Sequence, residues 1–268
     1  PRAHAEPLQD AMRGSADDEE VKAGVRRIDS PGGSATASDQ MWHAVRRVAS
    51  RKPVIVSVGD MAASGGYWVA SAGTEIVAHD SSLLGSIGVV GGKIVAEDLS
   101  ERAGVNVTRL TRGKRAAWMS SMRGFSDDER AAFERSLQHT YRLFIRRIAQ
   151  GREMTPEQIA PLAEGRIVSG RRAREGGLVD AAGGLQEALA RAREQAELPD
   201  DVAVEVWPDQ PTLMQQLSQL TGSSARRVTL LSTVLELGRL SSTAGLLDAL
   251  ILGDESHIAA LPFVFRLR

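Results

Sequence analysis

The chain has 268 residues, 42% of them apolar, which suffices for one large or two small domains with an ordinary buried core. Its 33 basic and 34 acidic side chains leave a formal charge of -1, so no nucleic-acid or other polyanionic partner is expected. The lack of cysteine excludes disulfides, thiolate metal sites and cysteine nucleophiles.

The sequence opens on Pro1 rather than Met, without the apolar core of a signal peptide, which points to a processed or truncated product. From there, β-like runs alternate with helical patterns. VKAGVRRID (21–29) reads as a strand, SDQMWHAVRRVAS (38–50) as a helix, KPVIVSVG (52–59) as a strand, SGGYWVASAG (64–73) as a helix and TEIVAH (74–79) as a strand. This alternation predicts an α/β architecture of successive βαβ units. SIGVV (86–90) and VNVTRLTR (105–112) read as strands around a short helix, VAEDLSERAG.

From Ser126 the texture turns helical. Ser126 and Glu129 form a capping box, and Phe133, Leu137, Tyr141, Phe144 and Ile148 share one face, which is expected to pack on the sheet. Thr155-Pro156-Glu157-Gln158 opens another capped helix, which Gly165 ends. A strand RIVSG, a short helix, LVD, the helix GGLQEALARAREQA and a strand VAVEVWP follow. In the tail, LLSTVLELGRLSSTAGLLDALIL is interrupted by Glu236 and Arg239, so an amphipathic packing or interface helix is expected rather than a membrane span.

Three segments carry chemical information. Asp29-Ser30-Pro31-Gly32-Gly33-Ser34 joins a strand to a helix, and its two glycines allow backbone N–H groups to face outward as a nest for a negative oxygen. Taken alone, the segment is also read as a plain strand-to-helix turn. Ser64 leaves a strand through small residues and sits at a helix N-terminus, where it is either a nucleophile beside the Gly65 N–H or simply a cap. Gly85-Ser86-Ile87-Gly88-Val89-Val90-Gly91-Gly92 is a glycine-punctuated strand of the kind a ligand or another backbone approaches closely.

In this order and spacing the three segments resemble the signal peptide peptidase (SppA, protease IV) family. The resemblance runs on through the helix at Ser126, TPEQIAPLAEGRIVSG and the ARE-GG-LVD stretch, from residue 7 to residue 208. It implies a ClpP/crotonase-like fold of stacked βαβ units over residues 1–200, with a C-terminal strand and helical extension over 201–268. It makes Ser64 the nucleophile, Gly65 and one of Gly32 and Gly33 the oxyanion donors, Gly33 preferred, and Ser86 the hydrogen-bonding partner of a catalytic lysine. It implies peptide substrates such as cleaved signal peptides, a homo-oligomer, and a bacterial setting at the inner membrane facing the periplasm. No cofactor or metal is implied.

The base is where the sequence departs from the simple pattern. None of the five histidines falls near Ile87, where a ClpP-like site has one, and the family uses a lysine kept neutral by burial. Lys22 and Lys52 flank strands, and Lys93 follows the glycine-rich strand. Lys114 is the internal candidate, but the position of the lysine in single-repeat members aligns with Ala116, and two residues along a strand amount to about 6.6 Å. Long, two-repeat members take the lysine from the N-terminal repeat and the serine from the C-terminal one, which this chain resembles. A lysine-bearing repeat of about 250 residues is therefore expected upstream. The alternatives are a non-catalytic scaffold subunit and a crotonase-like acyl-CoA enzyme that would not need Ser64 or Ser86.

Overall fold

Two strands centre the sheet, β1 (Ala23–Ser30) and β2 (Val54–Ala63), paired in parallel, and the largely apolar sequence of β2 suits a strand buried on both faces. The computed structural model describes Met12, residues 15–207 and, by their backbone, residues 264–267. Between the two strands runs α1 (Ala35–Ala49), capped by Ser34, whose Oγ accepts the Ala37 N–H. α1 buries Met41, Trp42, Val45 and Val48. After β2 come α2 (Gly65–Ala70), β3 (Glu75–Ala78), β4 (Leu83–Gly85) and α3 (Glu97–Arg102). Then follow α4 (Asp127–Arg152), α5 (Pro156–Ile159), β5 (Ile167–Ser169), α6 (Gly170–Glu175), β6 (Ala181–Ala182), α7 (Leu185–Gln195), β7 (Val204–Trp207) and β8 (Val264–Leu267).

The eight strands form one mixed sheet in the order β5-β4-β2-β1-β8-β7, with β3 also on β2 and β6 on β3. Strand periodicity divides the core between its faces. Val54, Val56 and Val58 pack with α1, α2 and α4, whereas Val25, Ile55 and Val77 pack with Ala188, Leu189 and Ala192 of α7. β2 changes partner along its length, pairing with β3 through residues 55–57 and with β4 through residues 61–63. The sheet therefore curls around it.

Both expected capping boxes form, at Ser126 with Glu129 and at Thr155 with Gln158. The apolar face of α4 is only partly used for packing on the core. Phe144 and Ile148 are buried, with Phe144 stacked on Trp68 at 4.4 Å between centroids, while Phe133, Leu137 and Tyr141 are half-buried. Two expected strands are absent. Residues 86–90 make a single bridge, Ile87 to Ala163, and the strand is instead Leu83–Gly85 just before them. Residues 105–112 are exposed and form no strand.

β7 pairs with β8, and β8 with β1, both antiparallel. The expected helical extension falls on residues 208–263, outside the described ones. No described helix is long and apolar enough to cross a membrane.

Candidate active site

Because β1 and β2 are parallel, the segments after them emerge at the same edge of the sheet, where the carboxyl ends of such strands build ligand sites. The Pro31–Ser34 turn and Ser64 therefore meet. The contact is so close that a Cβ on Gly32 would lie 2.7 Å from the Ser64 Cβ and 2.9 Å from the Gly65 nitrogen. Gly32 also has φ of 112°, so glycine is required there on both counts.

Ser64 has φ 50° and ψ -120°, a region that costs an L-residue about 1–3 kcal/mol and persists only where the surroundings impose it. Its N–H is held by the Gly85 carbonyl at 2.8 Å and its carbonyl accepts the Trp68 N–H at 2.9 Å. Five described helices start after a serine or threonine. Ser34, Ser126, Thr155 and Ser169 cap theirs with the hydroxyl, but Ser64 does not. The cap explanation for Ser64 thus fails in the structure. Its half-buried side chain faces a cleft of about 790 Å³.

Which N–H groups are available to an oxyanion follows from an inventory of their acceptors. The Gly32 N–H is consumed by Ser30 Oγ at 3.1 Å, while the N–H groups of Gly33 and Gly65 have no acceptor among the described residues. These two amides are neighbours: the Gly33 nitrogen lies 3.2 Å from where a Gly65 Cβ would stand. A side chain at Gly65 would also collide with Ser38 Oγ, which donates to the Ser34 carbonyl at 2.8 Å and supports the turn from below. Two unengaged amides beside an unengaged hydroxyl are the parts needed to hold a tetrahedral oxyanion during acyl transfer.

Ser86 lines the same cleft. Like Ser64 it has positive φ, 47°, and its N–H donates to the Arg166 carbonyl at 2.7 Å. Gly33, Ser64, Gly65 and Ser86 are thus brought together, with Gly32 directly behind. Lys114 is not. Its side chain is 82% exposed and its Nζ stands 3.6 Å from Asp128 Oδ2.

All four lysines of the sequence are among the described residues, and none lines the cleft. Lys22 donates to the Glu19 carbonyl, and Lys52 to the carbonyls of Ser15 and Asp18. Lys93 donates to the Trp118 carbonyl and sits over the Phe125 ring at 4.2 Å. Burial lowers the pKa of Lys52 and Lys93, the direction a basic lysine requires, yet both are committed elsewhere.

Sequence reasoning missed the far wall of the cleft, formed by Ser136, Thr140 and Phe144 of α4. The signal was present in their i, i+4, i+8 spacing, but two of the three are polar and carry no periodicity of their own. Ser30, which decides between Gly32 and Gly33, had no signal.

An α/β sheet with a strained, uncapped serine beside paired amides is the arrangement expected of the ClpP-like class of serine peptidases. The comparisons agree. Peptidase family S49 matches residues 46–199. The chain is 42% identical over 196 residues to "Serine protease SPPA, chloroplastic" of Arabidopsis thaliana, covering 73% of this chain and 29% of that protein. It is 36% identical over 208 residues to "Protease 4" of Salmonella typhi, covering 77% and 33%. To "Putative signal peptide peptidase SppA" of Enterococcus faecium it is 29% identical over 194 residues, covering 72% and 56%. The chain belongs to peptidase family S49, a family of serine peptidases with a ClpP-like fold. It spans about a third of the length of the Arabidopsis and Salmonella relatives.

Proposed function

We propose that this chain is the nucleophile-bearing unit of a Ser–Lys endopeptidase whose lysine comes from a separate repeat. The observation that carries this is the cleft itself: Ser64, Gly33 and Gly65 are in place, and no lysine or histidine lines it among the described residues. Ser64 Oγ attacks the scissile carbonyl and passes its proton to the incoming lysine, while Gly33 and Gly65 donate to the oxyanion. Ser86 orients the lysine, and the lysine ammonium protonates the leaving amine. Water then attacks the acyl-enzyme with the same lysine as base.

The substrate is a short apolar peptide segment, of which a cleaved signal peptide is one. Supporting this, the cleft lining carries no charged side chain, and Trp68, Val89, Val90 and Phe144 supply apolar surface. The assembly is a homo-oligomer at the bacterial inner membrane, facing the periplasm. In favour of association, Val90 is 99% and Leu110 96% exposed, and Val95, Leu99, Val105 and Val107 are also exposed on the same segment.

General-base assistance contributes about a hundred- to ten-thousand-fold, so residues 1–268 alone are expected to cleave an apolar fluorogenic peptide barely or not at all. Adding a lysine-bearing N-terminal repeat restores turnover, and Lys114→Met leaves the restored rate unchanged. Robust turnover by the chain alone that disappears in Lys114→Met would overturn the split site.

A further inference from the structure

The two strands that deliver the nucleophile and the oxyanion loop do not run in constant register. Ile28 pairs with Val58, an offset of 30, but Ser30 pairs with Ala62, an offset of 32. β2 therefore carries two extra residues over Gly59-Asp60-Met61, which sets everything after them back by about 6.6 Å relative to β1. Without that step Gly32 would lie opposite Ala62, and Ser64 would lie opposite Ser34. The contact between Gly32 and Ser64 exists only because of the bulge.

A bulge interrupts the ladder, and here side chains replace the missing bonds. Asp29 Oδ1 accepts the Met61 N–H at 3.1 Å, just after the bulge. Arg27, two residues earlier and so on the same side of β1, donates to the Val58 carbonyl at 3.0 Å, just before it. From the other edge, Ser82 Oγ donates to the Gly59 carbonyl at 2.7 Å. Gly59 has no room for a side chain because the Asp29 carboxylate fills that space, its Oδ2 lying 2.9 Å from where a Cβ would be.

We propose that Asp29 is a positioning residue for the peptidase reaction: its carboxylate holds the bulge in β2 and so sets Ser64 opposite Gly32 and Gly33. This rests on the proposed peptidase function. The Met61 N–H needs an acceptor rather than a charge, so Asp29→Asn, which keeps the side-chain oxygen, retains the alignment. Asp29→Ala loses it. Ground-state binding of the peptide, made with the cleft walls, is unaffected by either, whereas oxyanion stabilisation is sensitive to small displacements of its donors.

The test uses the active, lysine-supplied assembly and an apolar fluorogenic peptide. Expected are a fall in kcat of at least tenfold for Asp29→Ala with KM within twofold, recovery to within twofold of wild type in Asp29→Asn, and equal peptide Kd in Ser64→Ala and Ser64→Ala/Asp29→Ala. Ser82→Ala, which releases the other side of the bulge, also lowers kcat at constant KM and carries the test should Asp29→Ala not fold. Unchanged kcat in Asp29→Ala, a rise in KM alone, or equal loss in Asp29→Asn and Asp29→Ala overturns the proposal, as does unchanged kcat in Ser82→Ala where that variant carries the test. Turnover that survives Ser64→Ala refutes the serine assignment itself, a result distinct from any of these.

Discussion

The Ser64 N–H donates to the Gly85 carbonyl at 2.8 Å, which couples the backbone of the proposed nucleophile to the residue just before Ser86. Both serines have positive φ, 50° and 47°, so strain and alignment at the two positions are shared through one hydrogen bond. β2 and β4 pair as far as Ala63 and Gly85, and the chains turn away together immediately afterwards.

The strain at Ser64 separates stability from activity. Ser64→Ala keeps the strain and removes the attacking oxygen, so turnover disappears while the melting temperature stays close to that of the parent. Ser64→Gly removes both. Relief of about 1–3 kcal/mol of strain, less the roughly 0.5–1 kcal/mol entropic cost of glycine, leaves a net gain near ~1 kcal/mol. For a domain of this size that raises Tm by about 2–4 °C, readable by calorimetry. A Ser64→Gly variant that melts lower than Ser64→Ala would mean that the backbone there is not strained.

Ser86→Ala removes the group proposed to orient the base but leaves the proposed nucleophile and oxyanion donors intact. Its kcat is expected to fall less than that of Ser64→Ala, by about ten- to a hundredfold. Titrating activity against pH adds a second readout, since a less well held lysine moves the acidic limb of the kcat profile, where the base becomes protonated. Loss at Ser86 equal to that at Ser64 would make Ser86 the better nucleophile.

Gly32→Ala places a methyl 2.7 Å from the Ser64 Cβ at a φ of 112°. The turn must shift, taking the Gly33 N–H with it. The expected result is a loss in kcat of about a hundred- to a thousandfold, as for removal of an oxyanion donor, together with about 1–3 kcal/mol of destabilisation. Denaturant unfolding and steady-state kinetics on the same sample check both.

At the N-terminus of α4, the Arg123 guanidinium, followed by the Ser126 N–H, holds the Glu129 carboxyl down to about 2 from its ordinary 4.5. A depressed carboxylate pKa contributes stability that is complete above the unfolded value and is lost as pH falls through the folded one. Stability is therefore expected to decline between about pH 4.5 and pH 2 as Glu129 protonates. In Glu129→Gln that part of the decline is missing, which urea titrations at several pH values would reveal.

Much of the fold was legible because its signals are local. The capping boxes at Ser126 and Thr155 form as read, since each satisfies N–H groups within one turn of helix. β1, β2 and β3 form where apolar runs predicted them. The misses at 86–90 and 105–112 share one limit: strand propensity describes a residue's fitness for a sheet, while forming a strand also depends on pairing with residues elsewhere in the chain.

The sequence by itself determined the order of βαβ elements, the glycine-rich turns and the presence of Ser64 at the end of a strand, whereas Ser86, read as opening a strand, follows one instead. Those features depend on dihedral preferences and side-chain period, which neighbouring residues dictate. Tertiary structure alone decided that Ser64 leaves its helix uncapped, that Ser30 consumes the Gly32 N–H while the Gly33 N–H has no acceptor among the described residues, and that Lys114 lies at Asp128 rather than in the cleft. It also decided the two-residue step between β1 and β2 that sets Ser64 against Gly32. The reason is that hydrogen-bond partners and strand register join residues roughly 30 positions apart, and the pattern along either strand is the same whichever register the other adopts.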